Sequence, residues 1–339
     1  MKKIVTIMLL VMFTASIYAG DVARKGTTGA EQLLIPVGAR GIATGGAFIS
    51  NLTGLESIYY NPAGLDRSTG SEAIFSYMNY VADVNVSYFG AGTKLGDLGS
   101  IGLTFKSIDF GDIPITTSEF PDGDGRTYSP SFITFGLTYS KVVTDRISVG
   151  ANFKFINETI ENTSATGFAI DFGVQYRFNN EISIGAALKN IGSNMNYSGA
   201  DLQYPTGIVG SAPGSPDGTF EIVTEDFQIP SYFELSASYD YQMDEQNNLL
   251  AGATFVANNS LEDGLNFGLE YGFMKMFFLR GGYNYALSGN ENSIYGFTAG
   301  AGVNYDVGSG LGITFDYAYR DVKNFPTSNH IFTVKLAVQ

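Results

Sequence analysis

From residue 71 onward the chain repeats one pattern: apolar and polar residues alternate with a period of two, in run after run. That period sends successive side chains to opposite faces of a β-strand. Ile147, Val149, Ala151, Phe153 and Phe155 alternate with Ser148, Gly150, Asn152 and Lys154. Phe168, Ile170, Phe172, Val174, Tyr176 and Phe178 alternate with Ala169, Asp171, Gly173, Gln175 and Arg177. Phe233, Leu235, Ala237, Tyr239 and Tyr241 oppose Glu234, Ser236, Ser238 and Asp240. Similar runs start at Ala73, Val84, Ile101 and Phe135, the Val84 run reading as Val84, Val86 and Tyr88, and a run over 182–191 keeps the alternation. Others cover 249–256, 265–273, 277–285, 295–307, 311–319 and 330–338. The pattern predicts about fourteen strands, most near the ~9–11 residues that cross a bilayer at a tilt.

The spacing between runs is also patterned. Long connections are expected at 107–130, 158–167, 192–231, 286–294 and 320–329, and short ones at 94–99, 142–146, 179–181, 244–248 and 307–310. Short turns at one end and longer loops at the other are what an outer-membrane barrel shows. The hairpin around Ala82 and Asp83 departs from this, being short where a long loop is due.

Alternation alone does not separate a membrane barrel from a secreted soluble one, because both share the period. The composition of the polar face does bear on it. Glycine, serine, asparagine and isolated charges fill that face, without the lysine and glutamate runs of a solvated surface. Such a face suits a closed lumen in which Lys106, Lys154, Asp171, Arg177, Glu234, Glu270, Arg280 and Asp316 pair with one another. Tyr80, Tyr139, Tyr176, Tyr241, Tyr271, Tyr305 and Tyr319 lie near strand ends, where an interfacial aromatic girdle belongs. The reading is an all-β chain: a transmembrane antiparallel β-barrel of about fourteen strands over 71–339, with lipid of the outer membrane as its surroundings.

The segment before the barrel is of another kind. Lys2 and Lys3, the apolar run 4–13 and small residues up to Ala19 make a signal peptide expected over 1–19, hence export in a Gram-negative cell. Residues 20–70 read as a compact insert surrounded by the barrel, a hatch. Residues 39–47 are rich in small side chains, which lets the backbone lie close to another surface. Asn61-Pro62-Ala63-Gly64 is a turn signal, since proline fixes its own φ and biases the residue before it. Gly38, Ala39, Arg40, Gly45, Gly46, Asn61, Pro62, Ala63 and Gly64 are the candidate gating residues. Arg40 is the one charge between Glu31 and Glu56; enclosed in the lumen it needs an acidic partner, for which Asp171, Glu234, Glu270 and Asp316 are candidates, and the alternative is that it snorkels to the periplasmic mouth.

Several chemistries find no support. With no cysteine there is no disulfide frame and no thiol chemistry, and a single histidine, His330, rules out a multi-histidine metal site within one chain. A formal charge of -14 argues against nucleic acid as a partner. Asp122 and Asp124 stand at a spacing seen in calcium loops, but the other ligand positions are missing, and a flexible turn is the better reading. Residues 210–218 read as a solvated loop. No enzyme activity and no cofactor are expected.

The leading stretch resembles a known family. Gly26-Thr27-Thr28-Gly29-Ala30, Leu33-Leu34-Ile35-Pro36-Val37-Gly38-Ala39-Arg40, Gly45-Gly46-Ala47-Phe48 and Tyr60-Asn61-Pro62-Ala63-Gly64-Leu65 resemble the hatch of the PorV/PorQ outer-membrane proteins, which are related to FadL-type long-chain fatty-acid transporters. The resemblance implies a fourteen-stranded barrel whose N-terminal segment plugs the lumen. It also implies one of two functions. In the first, a component of type IX-like protein secretion has secretion-system proteins or cargo C-terminal domains as partners. The alternative is a FadL-like gated passive channel for a hydrophobic or other small-molecule ligand. The loop 192–231 is mixed and weakly acidic, so fatty acid as substrate is not supported.

Overall fold

The computed structural model describes residues 26–338 except 180, 213, 289–292 and 309. The signal peptide expected at 1–19, the first residues of the hatch segment and residue 339 lie outside the described residues. Among the described residues the barrel strands are β1 (Ser71–Asn79), β2 (Asn85–Lys94), β3 (Ser100–Asp109), β4 (Ser131–Val142), β5 (Ile147–Ile160), β6 (Thr163–Arg177) and β7 (Ile182–Gly192). The circuit continues with β8 (Tyr232–Gln242), β9 (Asn248–Asn258), β10 (Gly264–Phe273), β11 (Phe277–Ala286), β12 (Tyr295–Gly308), β13 (Leu311–Val322) and β14 (Asn329–Val338). Each pairs antiparallel with its sequence neighbours, and β1 pairs with β14 from Ser71↔Val338 to Asn79↔His330. The fourteen-stranded sheet is thereby closed, leaving no open edge to aggregate.

The two ends differ. One carries the turns 95–99, 143–146, 178–181, 243–247, 274–276 and 309–310. The other carries 80–84, 110–130, 161–162, 193–231, 259–263, 287–294 and 323–328. The long-loop end includes a hairpin of Gln203–Thr206 with Gly218–Glu221, and a short strand, Tyr197–Gly199, added beside β6. The long loop expected at 158–167 is not there. Thr159 pairs with Ser164 and Ile160 with Thr163, and Glu161 turns the chain at φ 52. β-Branched residues (Thr159, Ile160, Thr163, Thr166), most of them polar, keep the backbone extended where low hydrophobicity suggests a loop.

Large apolar side chains point outward around the ring. Phe75, Phe89, Leu103, Phe135, Leu137, Phe153, Phe172, Leu269, Leu279, Phe315 and Phe332 are all exposed. Two expectations about faces fail. In β2 the series Val86 and Tyr88 faces inward, as do Ile74 and Met78 in β1 and Ile108 in β3, because the hatch presents an apolar surface to this sector of the wall. In β7 the period breaks: Leu188 and Ile191 are exposed, while both Lys189 and Asn190 between them are buried. Asn190 has φ 56, and the β6–β7 register shifts between Ile170 and Phe172, so Lys189 and Asn190 form a bulge opposite Asp171. Tyr80 is also no girdle residue. It turns inward, its hydroxyl 2.5 Å from that of Tyr295.

Inside the ring lies the segment 26–70, built of short pieces: Glu31–Leu34, α1 (Ala39–Ala43), Gly54–Glu56, α2 (Ser57–Tyr60) and Pro62–Arg67. Glycines and prolines at 36, 38, 45, 46, 54 and 62 keep every helix to about one or two turns. Its apolar side chains form the core with the wall: Phe48, Ile49, Leu52, Leu55 and Ile58 are fully buried.

Candidate functional site

The hatch runs the length of the lumen. Gly29 donates to the carbonyl of Gln228, in the last part of the long loop, while Arg67 Nε reaches Ser148 Oγ (2.8 Å) at the short-turn end. It fits because the wall gives way to it. Gly150, Gly185, Gly252, Gly268 and Gly282 face inward where hatch backbone passes, and Gly173 and Gly300 where the side chains of Asn61 and Ala43 do. A Cβ on Gly282 would lie 2.5 Å from the Gly45 nitrogen, one on Gly150 2.5 Å from the Pro62 carbonyl oxygen, and one on Gly173 would overlap the Asn61 amide. Gly45 and Gly46 themselves take φ 62 and 75, which favours glycine at both.

Helices this short leave most of their carbonyls unpaired. The polar wall supplies the donors. Thr298 Oγ1 donates to Ala43 O (2.9 Å), Asn284 Nδ2 to Gly45 O (2.8 Å), and Gln175 Nε2 to Ile49 O and Leu52 O (3.0 and 2.9 Å). Ser236 and Thr254 both donate to Ala47 O, Ser140 to Ala63 O, and Lys106 Nζ to Ile35 O (2.8 Å). Asn61 works in both directions: its Oδ1 accepts from Ala63 N (3.1 Å), and its Nδ2 donates to Val174 O of β6 (3.1 Å). Gly38 caps the start of α1 at φ 83, and Ala39 N donates to Thr333 Oγ1 (2.9 Å).

Two ionic clusters stand beside this seat. In the first, Arg40 grips Glu270 with Nε and Nη2, both at 2.8 Å, and Arg280 joins Glu270 (2.5 Å) to Asp316 (2.5 Å). One bidentate pair therefore ties α1 to β10, and the chain of charges continues through β11 to β13. Glu56 lies by Gly38 with Oε1 unpartnered among the described residues, and burial pushes its carboxyl pKa up against the pull of Arg40. In the second cluster, Lys154 Nζ meets Asp171 (2.6 Å) and Asn190 Oδ1 (2.7 Å). Lys189 donates to the Tyr59 carbonyl and sits 4.8 Å from the Tyr59 ring, with Lys106 5.3 Å from the same ring.

The lumen residues expected from the sequence thus divide. Lys154 with Asp171, and Arg280 with Glu270 and Asp316, form ion pairs. Lys106 bonds a carbonyl instead of an acid, and Glu234 forms no side-chain hydrogen bond or ion pair among the described residues. Arg177, half-buried at the end of β6, stands at the short-turn rim and not in the lumen centre. Lys189, Gln175 and Arg320 were not readable as site residues: a bulge moved the first, and the others look like ordinary polar strand positions.

Above the hatch, toward the long-loop end, lies a cavity of about 800 Å³. Ile35, Ile42, Ile108, Phe110 and Phe132 give it one apolar wall, Tyr59, Tyr60 and Tyr232 line it, and Glu234 and Arg320 also face it. Burial pushes the Tyr59 and Tyr60 phenols up, so both remain neutral hydrogen-bonding groups. Tyr59 and Tyr60 hydroxyls donate to Leu33 O and Val37 O, holding the hatch's own two limbs together under the cavity. No set of three or more histidine, aspartate or glutamate side chains suited to a metal ion occurs among the described residues.

No family model matches the chain, and no curated protein matches it. Solved structures do. The CymD monoaromatic hydrocarbon channel superposes with a TM-score of 0.56 at 12% identity, covering 90% of this chain and 98% of that one. The Pseudomonas putida toluene transporter TodX gives 0.56 at 13% identity, covering 89% and 96%. A Pseudomonas aeruginosa FadL homologue gives 0.55 at 13% identity, covering 90% and 98%. At these identities the likeness is one of fold: the chain has the fold of FadL-type channels.

Proposed function

We propose that this protein is a gated passive channel of the Gram-negative outer membrane for a small, partly hydrophobic molecule. The observation that carries the reading is the cavity of about 800 Å³ above a hatch that fills the rest of the lumen. A pocket of that size is in the range of small-molecule sites, roughly 300–1,000 Å³. The outward ring of phenylalanine and leucine meets lipid, and the expected signal peptide supplies export. The FadL-type neighbours, named as hydrocarbon channels and a toluene transporter, support this reading over a secretion role. The hatch residues from Gly38 to Gly46 and the Asn61-Pro62-Ala63-Gly64 turn act as the closure.

A role in type IX-like secretion is the second reading, with cargo C-terminal domains as partners. It is favoured by the long-loop hairpin, beside which Val209 and Val223 stand 98% and 89% exposed, apolar surface that a protein partner would cover. Vesicle-swelling assays with solutes of graded size separate the two. A channel admits small solutes faster than protein-free vesicles do. Vesicles no more permeable than the protein-free control, together with loss of cargo export on deleting 203–221, would favour secretion.

A further inference from the structure

The cavity above the hatch carries polar groups that the fold itself does not use. Gln32 is 2% exposed, lines the cavity, and neither its Oε1 nor its Nε2 has a hydrogen-bond partner among the described residues. Arg320 is buried, with its guanidinium 3.3 Å from the centre of the Tyr295 ring, and its Nη1 likewise lacks a partner. Glu234, also buried, lines the cavity; the Lys189 and Lys154 ammonium groups act on its charge, but no ion pair joins it to either among the described residues. Native folds rarely bury polar groups without partners, and each such group calls for a reason.

The placement of these groups is informative. Glu234 is near the start of β8 and Arg320 near the end of β13, so both stand at the long-loop end on different sectors of the wall. They carry opposite charges and do not neutralise each other. Gln32 comes from the hatch and offers one donor and one acceptor side by side, the complement of a peptide unit. The apolar wall of Ile35, Ile108, Phe110 and Phe132 needs an apolar body. A pure hydrocarbon would fill the volume but leave Gln32 and Arg320 Nη1 without partners and set the Glu234 carboxyl against an apolar body.

Resting on the channel reading above, we propose that the cavity binds an α-ammonium carboxylate zwitterion with apolar side chains, the chemistry of a short apolar peptide or of a free apolar amino acid. Its carboxylate meets Arg320 Nη1, its ammonium meets Glu234, and in a peptide the backbone amide meets Gln32.

Calorimetry on the purified full chain in detergent tests this with trileucine, its N-acetylated and C-amidated form, free leucine and toluene as probes. Trileucine should bind at least tenfold more tightly than the blocked peptide. Arg320→Gln and Glu234→Gln should each lower trileucine affinity at least tenfold while changing the blocked peptide little. Gln32→Leu should weaken trileucine and leave free leucine unchanged if the ligand is a peptide; no loss for either would make the free amino acid the ligand, and equal losses for both would overturn the contact assigned to Gln32. Equal binding of free and blocked trileucine, or heat from toluene alone, overturns the proposal, and the parent protein suffices for that arm if a variant fails to fold. Swelling assays keep the two claims apart. Vesicles that admit small solutes but a protein that ignores trileucine leave the channel standing and remove this inference; trileucine bound by a protein that admits nothing does the reverse.

Discussion

Gly173 shows how much a single atom decides here. Its missing Cβ leaves the space the Asn61 amide occupies, and Asn61 in turn holds β6 through Val174 O. Gly173→Val should therefore unseat the hatch corner and cost about 1–3 kcal/mol by overpacking. Gly281→Val, on the outward side with nothing nearer than 3.9 Å, should leave stability almost unchanged. Denaturant titrations of protein folded into vesicles compare the two. The neighbouring pair Asp171 and Phe172 gives a second contrast. Phe172 is half-exposed on the outer face, so Phe172→Arg should cost about 2–4 kcal/mol near the bilayer midplane. Asp171 is buried against Lys154 at 2.6 Å, so Asp171→Asn leaves that ammonium without its charge partner and should cost about 3–5 kcal/mol. The same titrations showing Phe172→Arg harmless would reverse the assignment of the faces.

At the scale of elements, α1 and its charge chain set what holds the hatch. Arg40 is 23% exposed and shares Glu270 with Arg280, whereas Arg280 is buried and serves two carboxylates. Arg280→Ala should thus destabilise the fold by about 3–5 kcal/mol, leaving Asp316 buried and unpaired. Arg40→Ala should cost less, and should show first as faster protease cleavage within 38–46. Equal losses of stability for the two variants would mean that the hatch, and not the wall, depends on Arg280. An acidic partner for Arg40 was legible as a need, because one charge amid small residues has few ways to be satisfied. Which acid it would be was not, since Glu270 and Asp171 look alike as inward polar positions until the register is known. The β7 bulge was illegible for a related reason: Leu188-Lys189-Asn190-Ile191 fits a strict alternation nearly as well as a slipped one. In β1 and β2 the inward face is apolar because of what packs on it, and a strand's own sequence does not reveal its neighbour.

The whole molecule is a closed fourteen-stranded ring with its N-terminal segment folded into the lumen, and period-two patterning together with turn spacing carried most of that architecture. The patterning did not carry the cavity, because it lies between the hatch and the wall toward the long-loop end, and Gln32, Tyr59 and Arg320 line it from distant parts of the chain. Circular dichroism in detergent should be almost wholly β, with a mobility shift on unheated gels; a helical spectrum would contradict the ring. The claim on which the function depends is that the hatch closes this barrel. Single-channel recording in planar bilayers of the parent protein and of a variant lacking 38–46, both shown to be folded by their gel shift, tests it most directly. Removing that stretch deletes the Arg40–Glu270 grip, the backbone seated on Gly282 and the Ala43 methyl seated on Gly300. The account predicts a parent of low ionic conductance, passing small solutes only slowly, and a deletion variant whose conductance rises well above it. A folded, inserted deletion variant no more conductive than the parent would contradict it.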